Sequence, residues 1–89
     1  MSATVMVFPL ERCVGKIRST ATKMLAKSTY RHAASYRHQV TVALWRQMDR
    51  AGIAEDERHA QLRAFWSEVR TEMIRRVIRG SLPGDGDAA

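Results

Sequence analysis

The chain has 89 residues and a formal net charge of +6, which suits one small domain and excludes separate substrate and cofactor domains. Its one cysteine, Cys13, excludes an internal disulfide and a cysteine-based zinc site, as is typical of a reducing compartment. Neither a basic leader nor a membrane-spanning apolar run is present, so the sequence predicts a cytoplasmic protein that makes no membrane contact.

The first predicted elements are a short extended arm over residues 1–8 and a helix over about residues 10–27. Apolar residues recur every three or four positions along this helix, as on a face that packs against a core. They are Leu10, Val14, Ile17, Ala21, Met24 and Leu25. On the opposite side, four cations fall within roughly 60° of one another. We call them the basic ridge, which consists of Arg12, Lys16, Lys23 and Lys27.

A second helix is predicted over about residues 29–51. Its apolar face consists of Tyr30, Ala33, Val40, Leu44, Trp45 and Met48. If the first helix continued through Ser28, the apolar stripe would jump by roughly 160° around the axis. A break at Ser28 and Thr29 removes this conflict, and either residue can cap a helix. Gly52 predicts the end of the second helix, because glycine permits the left-handed closing residue and lets Ile53 fold back on Met48.

The third helix is predicted over about residues 55–79. Its acidic first turn, Glu55 to Glu57, suits the positive end of a helix dipole. Its apolar face consists of Leu62, Phe65, Trp66, Val69, Met73 and Val77. Gly80 predicts the end of this helix, and residues 81–89 have the composition of a disordered tail.

These patterns predict an all-α fold in a single domain over residues 1–80. The architecture is either a three-helix bundle or a long antiparallel helical hairpin with the amphipathic first helix laid across it. Ile74 and Ile78 lie off the main apolar stripe of the third helix. They pack under the N-terminal arm or form a homodimer contact, and the sequence favours neither alternative.

Positive charge is concentrated in the first half of the chain. Between Arg12 and Met48 there are eight Lys or Arg residues and no Asp or Glu, whereas seven basic and six acidic residues lie between Asp49 and Arg79. A one-sided block of this kind indicates an anionic partner, either an acidic protein surface or nucleic acid. We favour this interpretation over a face that is merely solvated. The candidate binding residues are Arg12, Lys16, Lys23, Lys27, Arg31, Arg46 and Arg50.

Other patterns are weak as site signals. The tripeptide Tyr-Arg-His occurs at residues 30–32 and 36–38, but six residues rotate a helix by roughly 600°, so the copies lie about 120° apart. Arg37 falls on the apolar face, where we expect it to extend along the edge of the core or to pair with a carboxylate, rather than to recognise a partner. Glu55 and His59 have metal-compatible spacing, but an acidic first turn explains Glu55 without a metal.

No enzymatic activity is predicted. The core-facing positions are aliphatic, aromatic or alanine, and the sequence lacks GxSxG, P-loop, HExxH and paired-carboxylate patterns. Cys13 lies at the edge of an apolar stripe, where a small packing residue is expected rather than a reactive thiol. We therefore expect no catalytic residue, no cofactor and no metal.

Several short motifs resemble a known family. They are Phe8-Pro9-Leu10-Glu11-Arg12, Val14, Ile17-Arg18, Tyr36, Gln39, Gly52-Ile53, Leu62-Arg63-Ala64-Phe65, Val69 and Glu72. Together they resemble a family of small uncharacterised alphaproteobacterial proteins, often found on plasmids and other mobile elements, that opens with Phe-Pro-Leu-x-Arg-Arg. Cys13 occupies the place of the second arginine. The resemblance implies a genomic setting and no site residues.

The sequence leaves three hypotheses about function. The first is a non-enzymatic basic helical binding protein of mobile-element origin that occupies an acidic surface of a nucleic-acid-handling partner, as an inhibitor of the anti-CRISPR type would do. The second is a dimeric accessory factor that binds nucleic acid directly and with little sequence preference. The third is a structural subunit whose exposed apolar residues complete another protein's helical bundle.

Overall fold

The computed structural model describes residues 10–81 and confirms the all-α fold. A 3-10 turn covers Leu10–Arg12, and three helices follow, α1 over Val14–Leu25, α2 over Tyr30–Arg50 and α3 over Glu55–Ser81. Between residues 10 and 81 the chain forms no strand. The predicted arm, and the predicted tail beyond Ser81, lie outside the described residues. Among the described helices, none is long and apolar enough to cross a membrane.

The helices pack as a three-helix bundle with α1 and α3 parallel and α2 antiparallel to both. The backbone N–H of Leu10 donates to Gln61 Oε1 at 3.2 Å, and Arg76 near the end of α3 reaches Thr22 near the end of α1. Because α1 and α3 run in the same direction, their C-terminal ends lie at the same end of the bundle. The N-terminal end of α2 lies there as well. We call this the distal end.

The start of α1 differs from the prediction of one helix over about residues 10–27. Cys13 has φ −83° and ψ 73°, outside the helical region, and therefore separates the 3-10 turn from α1. The Leu10 N–H is held by Gln61 of α3, so the turn is attached to the bundle. At its other end α1 stops at Leu25, before Lys27, where the Lys27 N–H donates to the Met24 carbonyl at 3.2 Å.

The predicted break between the first two helices is confirmed at Thr29. This residue is extended, with φ −135° and ψ 158°, and its Oγ1 accepts a hydrogen bond from the His32 N–H at 3.1 Å. That bond satisfies one of the backbone donors that a helix start leaves unpaired. Thr29 therefore sets the first residue of α2.

The predicted turn at Gly52 is confirmed as well. Gly52 has φ +82°, its N–H donates to the Asp49 carbonyl at 3.0 Å, and the Ile53 N–H donates to the Met48 carbonyl at 3.1 Å. These are the two hydrogen bonds of a Schellman motif, which requires the left-handed region that glycine adopts without a Cβ penalty. Ile53 is partly buried against the core, as this motif favours.

The predicted end of the third helix at Gly80 is wrong. α3 continues through Gly80 to Ser81, and Gly80 does not have the positive φ that closes α2 at Gly52. Glycine lowers helix stability by about 1 kcal/mol relative to alanine but does not by itself end a helix. Ser81, which we placed in the tail, is helical.

The core forms where the predicted apolar faces meet. Ala21 and Phe65 are fully buried, and Thr20 and Val69 are nearly so. Burial of a side chain such as Phe65 contributes roughly 1.5–3 kcal/mol. The buried apolar residues are Ile17, Ala21, Val40, Leu44, Met48, Leu62, Phe65, Trp66 and Val69, and each belongs to a predicted apolar face.

Four residues predicted on these faces are instead exposed, namely Val14 at 52%, Leu25 at 40%, Tyr30 at 88% and Val77 at 55%. Periodicity gives the side of the helix but not its position along the bundle. Val14 opens α1, and the other three lie in terminal turns at the distal end, where a side chain has core neighbours on one side only.

Candidate functional site

The basic ridge is only partly a feature of one helix. Lys16 and Lys23 lie seven residues apart on α1, which is close to two turns, so they share one exposed face. Arg12 belongs to the preceding 3-10 turn and Lys27 lies beyond the end of α1, although both are exposed. The structure therefore places two of the four cations on the regular face that periodicity predicted for all of them.

Lys27 is anchored at the junction of α1 and α2. Its Nζ lies 4.8 Å from the ring centroid of Tyr36, a half-buried residue of α2. A cation over an aromatic face at this distance gains about 0.5–1 kcal/mol at an exposed site. The contact orients the lysine without neutralising its charge.

The candidate cations on α2 do not converge on one point. Arg31, Arg46 and Arg50 are all exposed. Arg31 lies in the first turn of α2, at the distal end, whereas Arg50 is the last residue of α2. The two residues are therefore roughly 28 Å apart along the helix at 1.5 Å per residue. Arg31 therefore lies at the same end of the bundle as Lys23 and Lys27, and Arg46 and Arg50 extend the positive charge to the opposite end.

Ion pairing divides the chain into two halves. Within residues 10–81, every ion pair formed by a lysine or arginine takes its cation from α3; the pairs are Arg58 with Asp49, and Arg75 and Arg76 with Glu72. None of the seven candidate cations is paired with a described carboxylate. The positive charge of the first half is thus uncompensated by the part of the chain that the structure describes.

Glu72 is the centre of the pairing on α3. Its carboxylate accepts hydrogen bonds from Arg76 Nε at 2.9 Å and from the Arg75 guanidinium at 2.7 Å. The Arg76 hydrogen bond is the main reason that the pKa of Glu72 is lowered, with both positive charges acting in the same direction and partial desolvation opposing them. The carboxylate therefore stays ionised and unavailable to a partner.

Arg76 also joins α3 to α1. Its guanidinium donates to Thr22 Oγ1 at 2.6 Å and to the Arg18 backbone carbonyl at 3.2 Å, while Thr22 Oγ1 donates to that same carbonyl at 2.9 Å. These donors and acceptors serve the packing of two helices. Arg76 is accordingly a structural residue, and the sequence pattern gave no signal for it.

Arg37 lies at the edge of the core, with its guanidinium 4.8 Å over the ring of Trp66, and it is exposed. This agrees with the expectation of a side chain that extends along the core edge, although no described carboxylate pairs with it. The indole N–H of Trp66 donates to Thr41 Oγ1 at 3.0 Å, which fixes the ring beneath Arg37.

A groove of about 430 Å³ opens beside Arg37 between α2 and α3. Four residues of α2 and four of α3 line it. Within each helix the second, third and fourth lining residues follow the first by three, four and seven positions, so they share one helix face. The lining residues are Ala34, Arg37, His38 and Thr41 of α2, and His59, Leu62, Arg63 and Trp66 of α3. Periodicity along a single helix does not reveal this groove, because its histidines and arginines come from two helices.

Glu55 and His59 contact each other: their side-chain Oε2 and Nε2 atoms are 3.8 Å apart. The His59 ring also packs against Trp45, with ring centroids 4.8 Å apart. Between residues 10 and 81 no three His, Cys, Asp or Glu side chains are grouped so that they could hold a metal ion. His59 is thus part of the interface between α2 and α3.

Exposed apolar side chains gather at the distal end. Besides Leu25 and Tyr30, the last turns of α3 expose Ile74, Val77 and Ile78. The cations Lys23, Lys27, Arg31 and Arg79 belong to these same terminal segments and are also exposed. This end of the bundle therefore combines apolar and positively charged surface.

One comparison with known proteins gives a result. A family model described as a family of unknown function, DUF6074, matches residues 1–84. No curated protein and no solved structure gives a significant match to the chain.

Proposed function

The chain belongs to the DUF6074 family, whose function is unknown, and we propose that it is a non-enzymatic protein that binds an acidic partner protein through its basic first half. One observation carries the proposal. The candidate cations of the turn, α1, α2 and the α1–α2 junction are exposed, and none of them has a carboxylate partner among the described residues, whereas in α3 Arg58, Arg75 and Arg76 are paired with acids. Uncompensated charge of one sign is attractive to a surface of the other sign.

The distal end favours a protein partner over a phosphate backbone. Exposed apolar residues such as Ile74 and Ile78 lie at the same end as Lys23, Lys27 and Arg31. Nucleic acid would use the cations but leave the apolar residues in water. A protein surface with acidic residues around an apolar patch would use both.

The partner class that we propose is a cytoplasmic protein that handles nucleic acid. Enzymes that cut or copy nucleic acids hold divalent cations in clusters of carboxylates, and such clusters form acidic clefts. A small basic bundle that occupies such a cleft would act as an inhibitor. We further propose that it inhibits a host defence complex, in the manner of an anti-CRISPR protein, because the sequence resemblance implies a mobile-element setting.

Charge reversal on α1 tests the proposal. We expect Lys16→Glu together with Lys23→Glu to abolish capture of a partner from a host extract, while the wild-type chain retains it. Arg70→Glu is the matched control, because Arg70 is an exposed α3 cation without an ion pair among the described residues. The captured protein is then purified, and calorimetry with it should show affinity at least tenfold weaker for the doubly reversed variant. Equal affinity for all three chains would contradict the proposal.

Direct nucleic-acid binding is the competing function, and the same proteins test it. Labelled double-stranded and single-stranded DNA are titrated with the wild-type chain across a salt series. Phosphate contacts by four to seven cations would give affinity that falls steeply with salt, by a slope of roughly 0.9 per duplex phosphate contacted. Submicromolar binding with that slope would replace our proposal by the accessory-factor hypothesis. We expect no submicromolar binding at 150 mM salt, as for a chain whose target is a protein.

A homodimer through Ile74 and Ile78 is the alternative use of the distal end. Two copies would bring Lys23, Lys27 and Arg31 close to their own equivalents, and like charges placed together oppose association. An acidic partner faces no such repulsion. We therefore propose a partner protein, rather than a second copy, as the occupant of this end.

A further inference from the structure

We propose that the groove between α2 and α3 binds the phosphate group of a small organic ligand, at a site separate from the basic surface. The groove is open to solvent, and its volume of about 430 Å³ has room for more than a bare ion. Its lining holds two arginines and two histidines, and Glu55 contacts one of these histidines, His59, from outside the lining. Such a lining can donate hydrogen bonds to an anion from several directions.

Arg37 is the main residue of the proposed site, because Trp66 orients its guanidinium and no described carboxylate neutralises its charge. Its guanidinium lies 4.8 Å over the Trp66 ring, and the Trp66 indole is itself fixed by Thr41. Stacking uses the face of a guanidinium and leaves the N–H groups at its edge. None of those N–H groups donates to a described residue, so the protein holds the donors of Arg37 in place without using them.

Arg63 supplies the second guanidinium from the facing helix. It is exposed, lines the same groove and has no ion pair among the described residues. His38 adds ring nitrogens from α2, whereas His59 Nε2 on α3 faces Glu55 Oε2 at 3.8 Å. Planar guanidinium groups match the spacing of phosphate oxygens and form two parallel hydrogen bonds with them. A phosphate monoester would therefore accept hydrogen bonds from both walls of the groove.

The apolar part of the lining indicates an organic ligand rather than inorganic phosphate. Leu62 and Trp66 are both buried and line the groove, and Ala34 adds a small apolar surface. These surfaces would cover the sugar or base attached to the phosphate. A mononucleotide or a sugar phosphate has the required size, and both carry the same phosphate chemistry.

Nuclear magnetic resonance titrations at 150 mM salt test the inference, with adenosine 5′-monophosphate, ribose 5-phosphate and adenosine as probes. We expect both phosphates to shift the Trp66 indole N–H and the Arg37 and Arg63 Nε–H resonances. Adenosine should cause no shift. Whichever of adenosine 5′-monophosphate and ribose 5-phosphate binds more tightly shows whether the ligand is a nucleotide or a sugar phosphate. Equal shifts with adenosine, or phosphate-induced shifts confined to Lys16 and Lys23, would overturn the assignment.

Variants separate this site from the basic surface. Arg63→Gln should weaken phosphate binding about tenfold, the effect of removing one charge-assisted hydrogen-bond donor. Because Arg63 is exposed, this change leaves the fold intact, as circular dichroism can verify. Arg70→Gln, and the α1 double variant with Lys16→Glu and Lys23→Glu, should bind phosphate as the wild type does. Unchanged affinity in Arg63→Gln would refute the inference, whatever the outcome of the partner-binding test.

Discussion

Thr29 fixes the start of α2 through one side-chain hydrogen bond, to the His32 N–H. We expect Thr29→Ala to lower the free energy of unfolding by about 1 kcal/mol, the usual effect of losing an N-cap acceptor. Urea denaturation followed by circular dichroism measures this change. Ser28→Ala is the matched control, because Ser28 is an exposed neighbour whose side chain forms no hydrogen bond with a described residue. Equal destabilisation by both substitutions would show that the cap is unimportant.

Gly52 and Gly15 allow the same substitution to be tested with opposite expected signs. A Cβ at either position would meet nothing within 4 Å, so neither substitution causes a clash. Gly52 has φ +82°, and we expect Gly52→Ala to destabilise the protein by about 1 kcal/mol through backbone strain. Gly15 lies in α1, and Gly15→Ala should stabilise it by up to about 0.5–1 kcal/mol. Thermal melts of both variants measure the difference, and the same sign for both would contradict it.

At the scale of the helices, we expect Glu72 and Arg76 to make the stability of the α1–α3 contact dependent on pH. The pKa of Glu72 is lowered in the folded protein, chiefly by the hydrogen bond from Arg76. The ionised carboxylate therefore stabilises the fold at pH values above its unfolded pKa, and this contribution is lost as the pH falls through the lower folded pKa. We expect the urea midpoints of the wild type and Glu72→Gln to differ at pH 6 and to converge towards pH 3.

Glu68→Gln is the control for this experiment. Glu68 is an exposed α3 carboxylate without an ion pair among the described residues. Its urea midpoint should therefore follow that of the wild type over the same range of pH. A Glu72→Gln midpoint that runs parallel to the wild type at every pH would mean that the Arg76 hydrogen bond contributes nothing to stability.

The order and type of the helices follow from local sequence. The three- and four-residue recurrence gave the core faces, and Thr29 and Gly52 gave the boundaries of α2, because capping and left-handed closure depend on residues close in sequence. The break at Cys13 was not predicted, and Gly80 was wrongly predicted to end α3. Whether the chain leaves or continues a helix there depends on contacts such as that of Leu10 with Gln61, which no local pattern contains.

The candidate surface and the groove differ in how far sequence can predict them. The concentration of cations in the first half is visible in the sequence, but the lack of paired acids is seen only in the folded arrangement. The groove joins Arg37 with Arg63 from two antiparallel helices. Their proximity depends on helix register, which periodicity does not determine. Register also explains why Tyr30 and Val77, on correctly predicted faces, are exposed.

At the scale of the whole molecule, the charge at the distal end should set the oligomeric state. We expect a monomer in sedimentation velocity experiments at 50 mM salt, because Lys23, Lys27 and Arg31 repel their equivalents in a second copy. Any association through Ile74 and Ile78 should increase as salt rises to 500 mM, and Ile78→Asp should abolish it. A dimer that is stable at low salt and unaffected by this substitution would show that another surface is used.

The parallel packing of α1 on α3 also affects the order in which the helices fold. During synthesis α1 leaves the ribosome first, yet the residues that hold it, Gln61 and Arg76, are made much later. The hairpin of α2 and α3 has short-range contacts and can form without α1. Pulsed hydrogen exchange during refolding should therefore protect α2 and α3 before α1, and simultaneous protection would contradict this order. On this order the helix that carries Lys16 and Lys23 would fold last, and a nascent chain would present its positive charge before its structure is complete.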